Sequence, residues 1–307
     1  MTFYRAFLSC SFCLYLSAAF HSIRAYLACI CCFLFLYTCP TLSYAAPLHC
    51  YRYLILSYSK GSNKIMSSIT KVHPLQRLPS PSRGISALVH ASGLASFIWS
   101  FKYMNDNPNH ANEAYGWHFQ YLTVIGLSLA TVTFAVGLLA DITLSARLFL
   151  LKNLLSVCSA PMEVLISILY WGLRLIDERL VIPDWAVIPM HADISFHAIP
   201  SIVFLIDLLF LSPPWTITIG PALGLSSAIA VSYWFWIERC FQHNGWYPYP
   251  IFEQLPFEGR IGLFALSAVV MALSTATLKW LHGRVNGFGT PLKAQARPGS
   301  VKADGSL

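Results

Sequence analysis

Apolar residues in this chain gather into long segments separated by short polar stretches. From residue 84 onward there are six such segments, each close to the roughly 20 residues that a helix needs to cross a bilayer. The alternation of polar and apolar residues that is typical of membrane β-barrel strands is absent from the sequence. The pattern predicts an all-α, polytopic integral membrane bundle of about six transmembrane helices over residues 84–284. The six segments run over residues 84–104, 118–140, 148–173, 194–212, 215–237 and 260–281.

The two ends of the chain differ from this central region. Residues 1–65 contain no Asp or Glu, are rich in Cys, and hold two apolar runs that are short for full spans. They are interpreted as a signal or anchor segment, as a palmitoylated anchor, or as an upstream extension of the gene model. We favour the last, with translation starting at Met66. Residues 66–83 are predicted to form a basic cytosolic segment, and residues 285–307, which lack apolar periodicity, a disordered cytosolic tail.

Composition supports a membrane environment. The chain is 56% hydrophobic and only 11% charged, with a mean hydropathy of +0.58, whereas soluble domains carry about 25% charged residues. The net charge of +7 comes from basic residues beside the apolar segments, not from basic runs interleaved with aromatic residues. We therefore expect the lipid bilayer as a partner and no nucleic acid. The sequence leaves the oligomeric state open.

Charge asymmetry predicts the orientation of the bundle. With six spans, basic residues before the first span, around the connection between spans two and three, and after span six fall on one side. Most acidic residues fall on the other side. The positive-inside rule then places both termini in the cytosol. We expect a multi-pass protein of the endoplasmic reticulum, other endomembranes or the plasma membrane.

Two polar residues stand at similar depths in two of the predicted spans. Thr123 lies about six residues into the second segment and His197 about four residues into the fourth, both counted from the outer side. At 1.5 Å per residue, both are within roughly 10 Å of the outer interface. Ionisable and polar groups inside a bilayer are costly and tend to mark function. A hydroxyl and an imidazole at one depth are candidates for a nucleophile and its base.

Asp193 precedes His197 by four residues and therefore shares its helix face. A carboxylate in that position could hold one imidazole nitrogen and leave the other free to accept a hydroxyl proton. Asp193 is thus the candidate orienting group. The alternative is that Thr123 bonds to the carbonyl four residues earlier or to a neighbouring helix, and that His197 is a packing residue.

Other polar positions carry weaker signals. His90, Glu163 and Asp207 also lie within predicted spans. His90 and His197 together are a candidate pair of haem ligands, an alternative that we rank low because no second pair of histidines supports it. The aromatic, Pro-rich stretch 244–253 predicts a lid against the membrane surface or, alternatively, a rigid connector.

Four segments in order resemble one family of membrane proteins, the androgen-induced gene 1 / FAR-17a-like family. They are Tyr115–Thr123, with its Tyr-Gly start and Leu-Thr end; Leu139–Asp141; His197–Asp207, with an acid ten residues after the His; and Asn244–Glu253, with its Tyr-Pro-Ile-Phe-Glu end. The resemblance covers about residues 84–281.

The resemblance implies a function. Animal members are transmembrane threonine hydrolases that cleave fatty acid esters of hydroxy fatty acids, with an essential Thr and His whose positions fall on Thr123 and His197 here. This chain departs from the animal pattern in having Asp193 and a more distant His191 where those members have an Asn-His pair, and in a shorter loop between spans two and three.

The sequence therefore predicts a membrane-embedded hydrolase of lipid esters, a carboxylic ester hydrolase with Thr123 as nucleophile, His197 as base and Asp193 as orienting group. A lipid ester is the expected substrate, and the proposed chemistry needs no cofactor and no metal. The alternative is a non-catalytic lipid-binding or scaffold protein of the endomembrane system.

Overall fold

The computed structural model describes residues 83–286, which are largely helical and contain no strand within that range. Predictions for residues 1–82 and 287–307 lie outside the described residues. Short 3-10 turns occur at residues 110–112, 117–120 and 178–180. The helices are α1 (Arg83–Asp106), α2 (Leu122–Thr143), α3 (Ala146–Ile176), α4 (Met190–His197), α5 (Ile199–Leu211), α6 (Ile219–Asn244), α7 (Ile251–Gln254) and α8 (Phe257–Asn286).

The helical membrane bundle predicted from the sequence is confirmed. Five helical stretches are long and apolar enough to cross a bilayer: α1, α2, α3, α4 continued by α5, and α8. The predicted fifth segment, 215–237, forms α6, which is not among these five. With 26 residues it is about 39 Å long and thus long enough to span, but the Gly, Pro, Ser and Trp residues within it lower its mean hydropathy.

The second helix begins later than the apolar pattern suggested. Residues 117–120 form a 3-10 turn, α2 starts at Leu122, and Thr123 is its second residue, not a residue six positions inside a span. Gly116 and Trp117 have positive φ values of 86° and 47°, a left-handed conformation that interrupts a right-handed helix. A Cβ on Gly116 would lie 2.8 Å from Cys240 Sγ, so only glycine fits this turn. Thr123 is therefore placed at a helix N-terminus.

The fourth segment is broken next to its histidine. Helix α4 ends at His197 and α5 begins at Ile199, with Ala198 between them at φ −124° and ψ −49°. Pro200 has no N–H, so it cannot donate the helical hydrogen bond to the carbonyl of Phe196. The break makes His197 the last residue of a short helix, with its carbonyl available to other partners.

Three apolar clusters hold the helices together. Phe134 of α2 packs edge-on against Phe97 of α1 and Phe204 of α5, with ring centroids 5.3 and 5.0 Å apart. A second cluster joins α3 to α8 and includes Met162 and Met271. The third joins α6 to the segment 247–252. Between the last two clusters the helices α2, α3, α6 and α8 do not close completely, which leaves a cavity.

The end of the bundle away from Thr123 holds a buried ionic cluster. His90 Nδ1 lies 2.6 Å from Asp141 Oδ2, and its Nε2 lies 3.2 Å from Asp207 Oδ1. Lys152 Nζ lies 2.6 Å from Asp207 Oδ2. Buried charges are tolerated when they are paired. The cluster ties α1, α2, α3 and α5 together, and Asp141 lies about 27 Å along α2 from Thr123.

Candidate functional site

A cavity of about 90 Å³ lies between α2, α3, α6 and α8 and is covered by residues 249–252. Every lining residue in the described chain is either apolar or carries a hydroxyl group. An apolar pocket with a few polar groups is the usual form of a site for a small organic ligand. The uncharged wall suits a hydrocarbon chain that bears a neutral polar group. The hydroxyl-bearing residues are Thr123, Tyr170, Ser226, Tyr233, Tyr249 and Ser267.

Thr123 lies on the wall of this cavity. Its backbone N–H belongs to the first turn of α2, where N–H groups have no acceptor within the helix. The hydroxyls of Ser128 and Thr133 donate to carbonyls four residues earlier, each at 2.7 Å. The Thr123 Oγ1 instead lies 3.4 Å from the Tyr249 Oη. The Thr123 hydroxyl is thus not engaged by its own helix, and the partial positive charge of the α2 N-terminus lies beside it.

Tyr249 comes from the aromatic loop between α6 and α8. The Thr123 N–H donates to its Oη across 3.5 Å. The loop is held by Glu253, whose Oε1 accepts from the Tyr247 N–H at 3.0 Å. The Tyr249 ring packs edge-on against Tyr121, with centroids 5.6 Å apart. Burial raises the pKa of the Tyr249 phenol above its ordinary value, so the phenol keeps its proton at neutral pH.

His197 is fixed by Asp193 and by α3. Its Nδ1 lies 2.8 Å from Asp193 Oδ1 and 3.1 Å from the Asp193 carbonyl oxygen. Its ring stacks on Tyr170 with centroids 3.4 Å apart and an interplanar angle of 2°. The His197 carbonyl, left free by the helix break, accepts from the hydroxyl of Ser167 and from Trp171 Nε1. With Nδ1–H donated to Asp193, Nε2 is the basic nitrogen.

Asp193 contacts Arg174 as well as His197, so that it links the other two side chains. Its carboxylate is fully buried and forms an ion pair with Arg174, near the end of α3. Arg174 is 20% exposed and also lies 4.0 Å from Glu178. The ion pair places the positive charge of Arg174 next to the carboxylate that contacts the imidazole.

The candidate residues thus form two groups. Asp193 and His197 are joined by a hydrogen bond, whereas Thr123 is joined to Tyr249; between residues 83 and 286 no hydrogen bond links Thr123 to His197. Helices α2 and α4 are in contact. Tyr170 lies between the two groups. One face of its ring stacks on His197, and Tyr170 also lines the cavity that Thr123 lines. His197 therefore lies directly behind the cavity wall.

Sequence reasoning did not single out Tyr249, Tyr170 or Arg174. Tyr249 belongs to the aromatic stretch 244–253, whose sequence predicts only a lid or a connector. Arg174 had a signal of its own, because it is a basic residue at the predominantly acidic end of the bundle, close to Asp177 and Glu178. No sequence signal distinguished Tyr170 from the other apolar and aromatic residues of α3.

Metal and haem ligation find no support in the described part of the chain. Between residues 83 and 286 no three side chains among His, Cys, Asp and Glu come together in a way that could hold a metal ion. The ring nitrogens of His90 face the carboxylates of Asp141 and Asp207 and not His197.

Comparisons with known proteins agree on one family. Residues 85–283 match the family model described as FAR-17a/AIG1-like protein. A UPF0641 membrane protein of Schizosaccharomyces pombe is 39% identical over 215 residues, which cover 69% of this chain and 96% of that relative. No solved structure shows a significant match.

Proposed function

This chain belongs to the FAR-17a/AIG1-like family of membrane proteins, and on that premise we propose that it is a membrane-embedded hydrolase of lipid esters. Thr123 is the nucleophile, His197 the base and Asp193 the group that orients the base. The observation that carries the proposal is the Thr123 hydroxyl, which stands at a helix N-terminus on the wall of an uncharged cavity. A hydrogen-bonded His–Asp pair lies behind that wall.

The chemistry requires a neutral imidazole next to a hydroxyl. Asp193 accepts the Nδ1–H of His197, which leaves the lone pair of Nε2 to take the Thr123 proton. Catalytic hydrogen bonds are often long before substrate binds and shorten in the substrate complex. The contact between Nε2 and Oγ1 is therefore expected when an ester occupies the cavity.

Hydrolysis proceeds in two steps. The Thr123 oxygen bonds to the ester carbonyl carbon while its proton passes to His197 Nε2, and the tetrahedral intermediate then expels the alcohol, which takes that proton. A water molecule next gives a proton to Nε2 and attacks the acyl-threonine. The Thr123 oxygen leaves with the proton from His197, and the fatty acid is released.

The cavity favours a fatty acyl ester over a polar ester. Its lining of Leu, Ile, Val, Phe and Met side chains offers no charged partner, so a charged group would lose its hydration without compensation. Esters of fatty acids with hydroxy fatty acids fit this description, with the ester group and the neighbouring apolar carbons in the cavity and the free carboxylate outside it.

A non-catalytic lipid-binding protein is the second candidate. The absence of a hydrogen bond between Thr123 and His197 in the described structure favours it, because the cavity would hold a lipid in the same way without cleaving it. Lipid binding without release of fatty acid is the outcome that distinguishes the two functions.

The test measures fatty acid release from a branched fatty acid ester by purified protein in detergent or liposomes. We expect release by the wild type, and loss of release in Thr123→Ala and His197→Ala variants that elute as folded protein. Thr131→Ala is the matched control, because the Thr131 hydroxyl donates to the Leu127 carbonyl in its own helix. A fluorophosphonate probe should label the wild type and Thr131→Ala but not Thr123→Ala. Full release by both Thr123→Ala and His197→Ala would overturn the mechanism.

A further inference from the structure

The structure assigns a catalytic role to Tyr249 in the same site. We propose that its phenol O–H, together with the backbone N–H of Thr123, donates hydrogen bonds to the oxyanion that forms when Thr123 attacks an ester. This inference rests on the proposed hydrolase function and adds the group that stabilises charge in its transition state.

The position of the Tyr249 oxygen supports this role. It lies 3.4 Å from Thr123 Oγ1 and 3.5 Å from Thr123 N, so it faces both the nucleophile and the nucleophile's own amide. When Oγ1 attacks the ester carbon, the negative charge develops on the former carbonyl oxygen, which then lies within reach of the Tyr249 hydroxyl and the Thr123 N–H. An oxyanion hole built from the nucleophile's own N–H and a second donor is the arrangement known from serine hydrolases.

The proton of Tyr249 is available for this purpose. The Thr123 N–H donates to Oη, so Oη is an acceptor in that contact, and the phenol O–H remains a donor that can turn from Thr123 Oγ1 to an oxyanion formed beside it. The nearby Tyr233 differs, because its hydroxyl donates to the Gln120 carbonyl oxygen at 2.8 Å. Of these two tyrosines on the cavity wall, Tyr249 is the one directed at Thr123.

Tyr249 is also held in place before substrate arrives. Prolines precede and follow it in the chain, and its carbonyl accepts from the Phe252 N–H at 3.1 Å. Its ring packs edge-on against Tyr121 and Phe252, at centroid distances of 5.6 and 5.9 Å. A donor that is fixed beforehand stabilises developing charge without reorganisation, which is the main source of its catalytic effect.

The step is balanced without a change in the protonation of Tyr249. As the bond between Thr123 Oγ1 and the carbonyl carbon forms, the carbonyl π electrons move to the oxygen and the Thr123 proton moves to His197. The Tyr249 O–H and the Thr123 N–H then donate to that oxygen. When the intermediate collapses, the carbonyl re-forms, the alcohol leaves with the proton from His197, and Tyr249 retains its proton throughout.

The primary test compares Tyr249→Phe, which removes the hydroxyl alone, with the wild type. We expect kcat to fall by about 10²–10³-fold with little change in KM, as when an oxyanion donor is removed. Affinity for a trifluoromethyl ketone analogue, which forms a tetrahedral adduct, should fall markedly, whereas affinity for a non-reactive ether analogue should not. Tyr247→Phe is the matched control: it is the same substitution in the same loop, and Tyr247 contacts Glu238 and Arg260 and does not line the cavity.

A second variant keeps the test valid if Tyr249→Phe does not fold. Fluorotyrosine at position 249 keeps the ring and the hydroxyl but makes the phenol more acidic. Because a phenolate cannot donate a hydrogen bond, the alkaline limb of the kcat profile should move to lower pH. A purely structural role for Tyr249 would leave that limb where it is in the wild type.

Each outcome supports or overturns a defined statement. An active wild type together with a Tyr249→Phe variant of wild-type kcat overturns the role of Tyr249 and leaves the hydrolase proposal standing. An equal loss of affinity for the ketone and ether analogues also overturns it, since Tyr249 would then bind substrate without favouring the transition state. A wild type that releases no fatty acid overturns the hydrolase function and the role of Tyr249 together.

Discussion

Replacing Asp193 with Asn keeps His197 in the site but changes which of its two ring nitrogens carries the proton. In the structure one Asp193 oxygen lies 2.8 Å from His197 Nδ1 and the other is paired with Arg174. Arg174 can only donate hydrogen bonds, so it will hold the amide oxygen of the new residue. The amide NH₂ then faces His197 Nδ1, which must accept. The imidazole proton moves to Nε2, and the nitrogen needed to deprotonate Thr123 is no longer basic.

The contacts of Asp193 also set the expected fall in kcat. The equivalent carboxylate-to-amide change lowers kcat by about 10⁴-fold in a serine protease triad. Here the Asp193 carbonyl oxygen, 3.1 Å from Nδ1, still favours a proton on that nitrogen. We therefore expect a smaller loss in kcat of about 10³-fold, which corresponds to about 4 kcal/mol of activation free energy.

Asp193→Asn should change the free energy of unfolding less than it changes the activation free energy of hydrolysis. Removing one partner of a fully buried ion pair typically costs about 3–5 kcal/mol. Arg174 is 20% exposed and has Glu178 at 4.0 Å as a second partner, so the loss of free energy of unfolding should be below that range. A moderately lower melting temperature in detergent, without loss of the folded fraction, is the expected result.

The assay measures kcat for ester hydrolysis and melting temperature on the same preparations of Asp193→Asn. Asp177→Asn is the control, since Asp177 is a half-buried carboxylate that is paired with Arg179 and does not contact His197; this variant should hydrolyse the ester like the wild type. A folded Asp193→Asn protein that keeps kcat within about threefold of the wild type would refute the argument that Asp193 sets the imidazole tautomer.

Three further predictions concern stability. Gly137→Ala should lower the melting temperature clearly, because its Cβ would lie 2.6 Å from the buried ring of His90; an unchanged melting temperature would contradict the close packing of α1 on α2. Asp207→Asn should cost several kcal/mol, about 3–5, by leaving the buried Lys152 ammonium without its carboxylate, whereas Asp207→Leu with Lys152→Met should recover most of that loss in the same melting assay. Burial lowers the pKa of His118 to about 4, so between pH about 6.5 and about 4 the unfolded chain binds more protons than the folded one and stability falls as the pH falls. His118→Gln should weaken this pH dependence of the melting temperature, and a variant with an unchanged acid response would show that other groups cause it.

The site shows which contacts a sequence can predict. The hydrogen bond between Asp193 and His197 joins residues four positions apart in one helix, so spacing alone indicated it. The contact of Thr123 with Tyr249 joins residues 126 positions apart. It depends on how the loop after α6 folds over the cavity, and no local rule predicts that.

The fold likewise has features that the sequence predicts and features that depend on tertiary contacts. Apolar length predicted the transmembrane helices because a chain in lipid must satisfy its backbone hydrogen bonds within each helix. It placed the start of α2 too early, because Phe119 and Tyr121 extend the apolar segment toward residue 118, whereas Gly116 and Trp117 take left-handed conformations that delay the helix. Those conformations reflect the close approach of Gly116 to Cys240 of α6, which is a tertiary contact.

By itself the sequence determined the membrane environment, the helical architecture and the residues Asp193 and His197 as a local pair. Those properties follow from apolar content, segment length and short-range spacing, which act within one element of the chain. Only the tertiary structure decided that Tyr249 faces Thr123, that Tyr170 stacks on His197 and that Arg174 neutralises Asp193. Each of these contacts joins different helices or a helix and a loop, and their packing sets the distance between side chains that spacing along the chain leaves open.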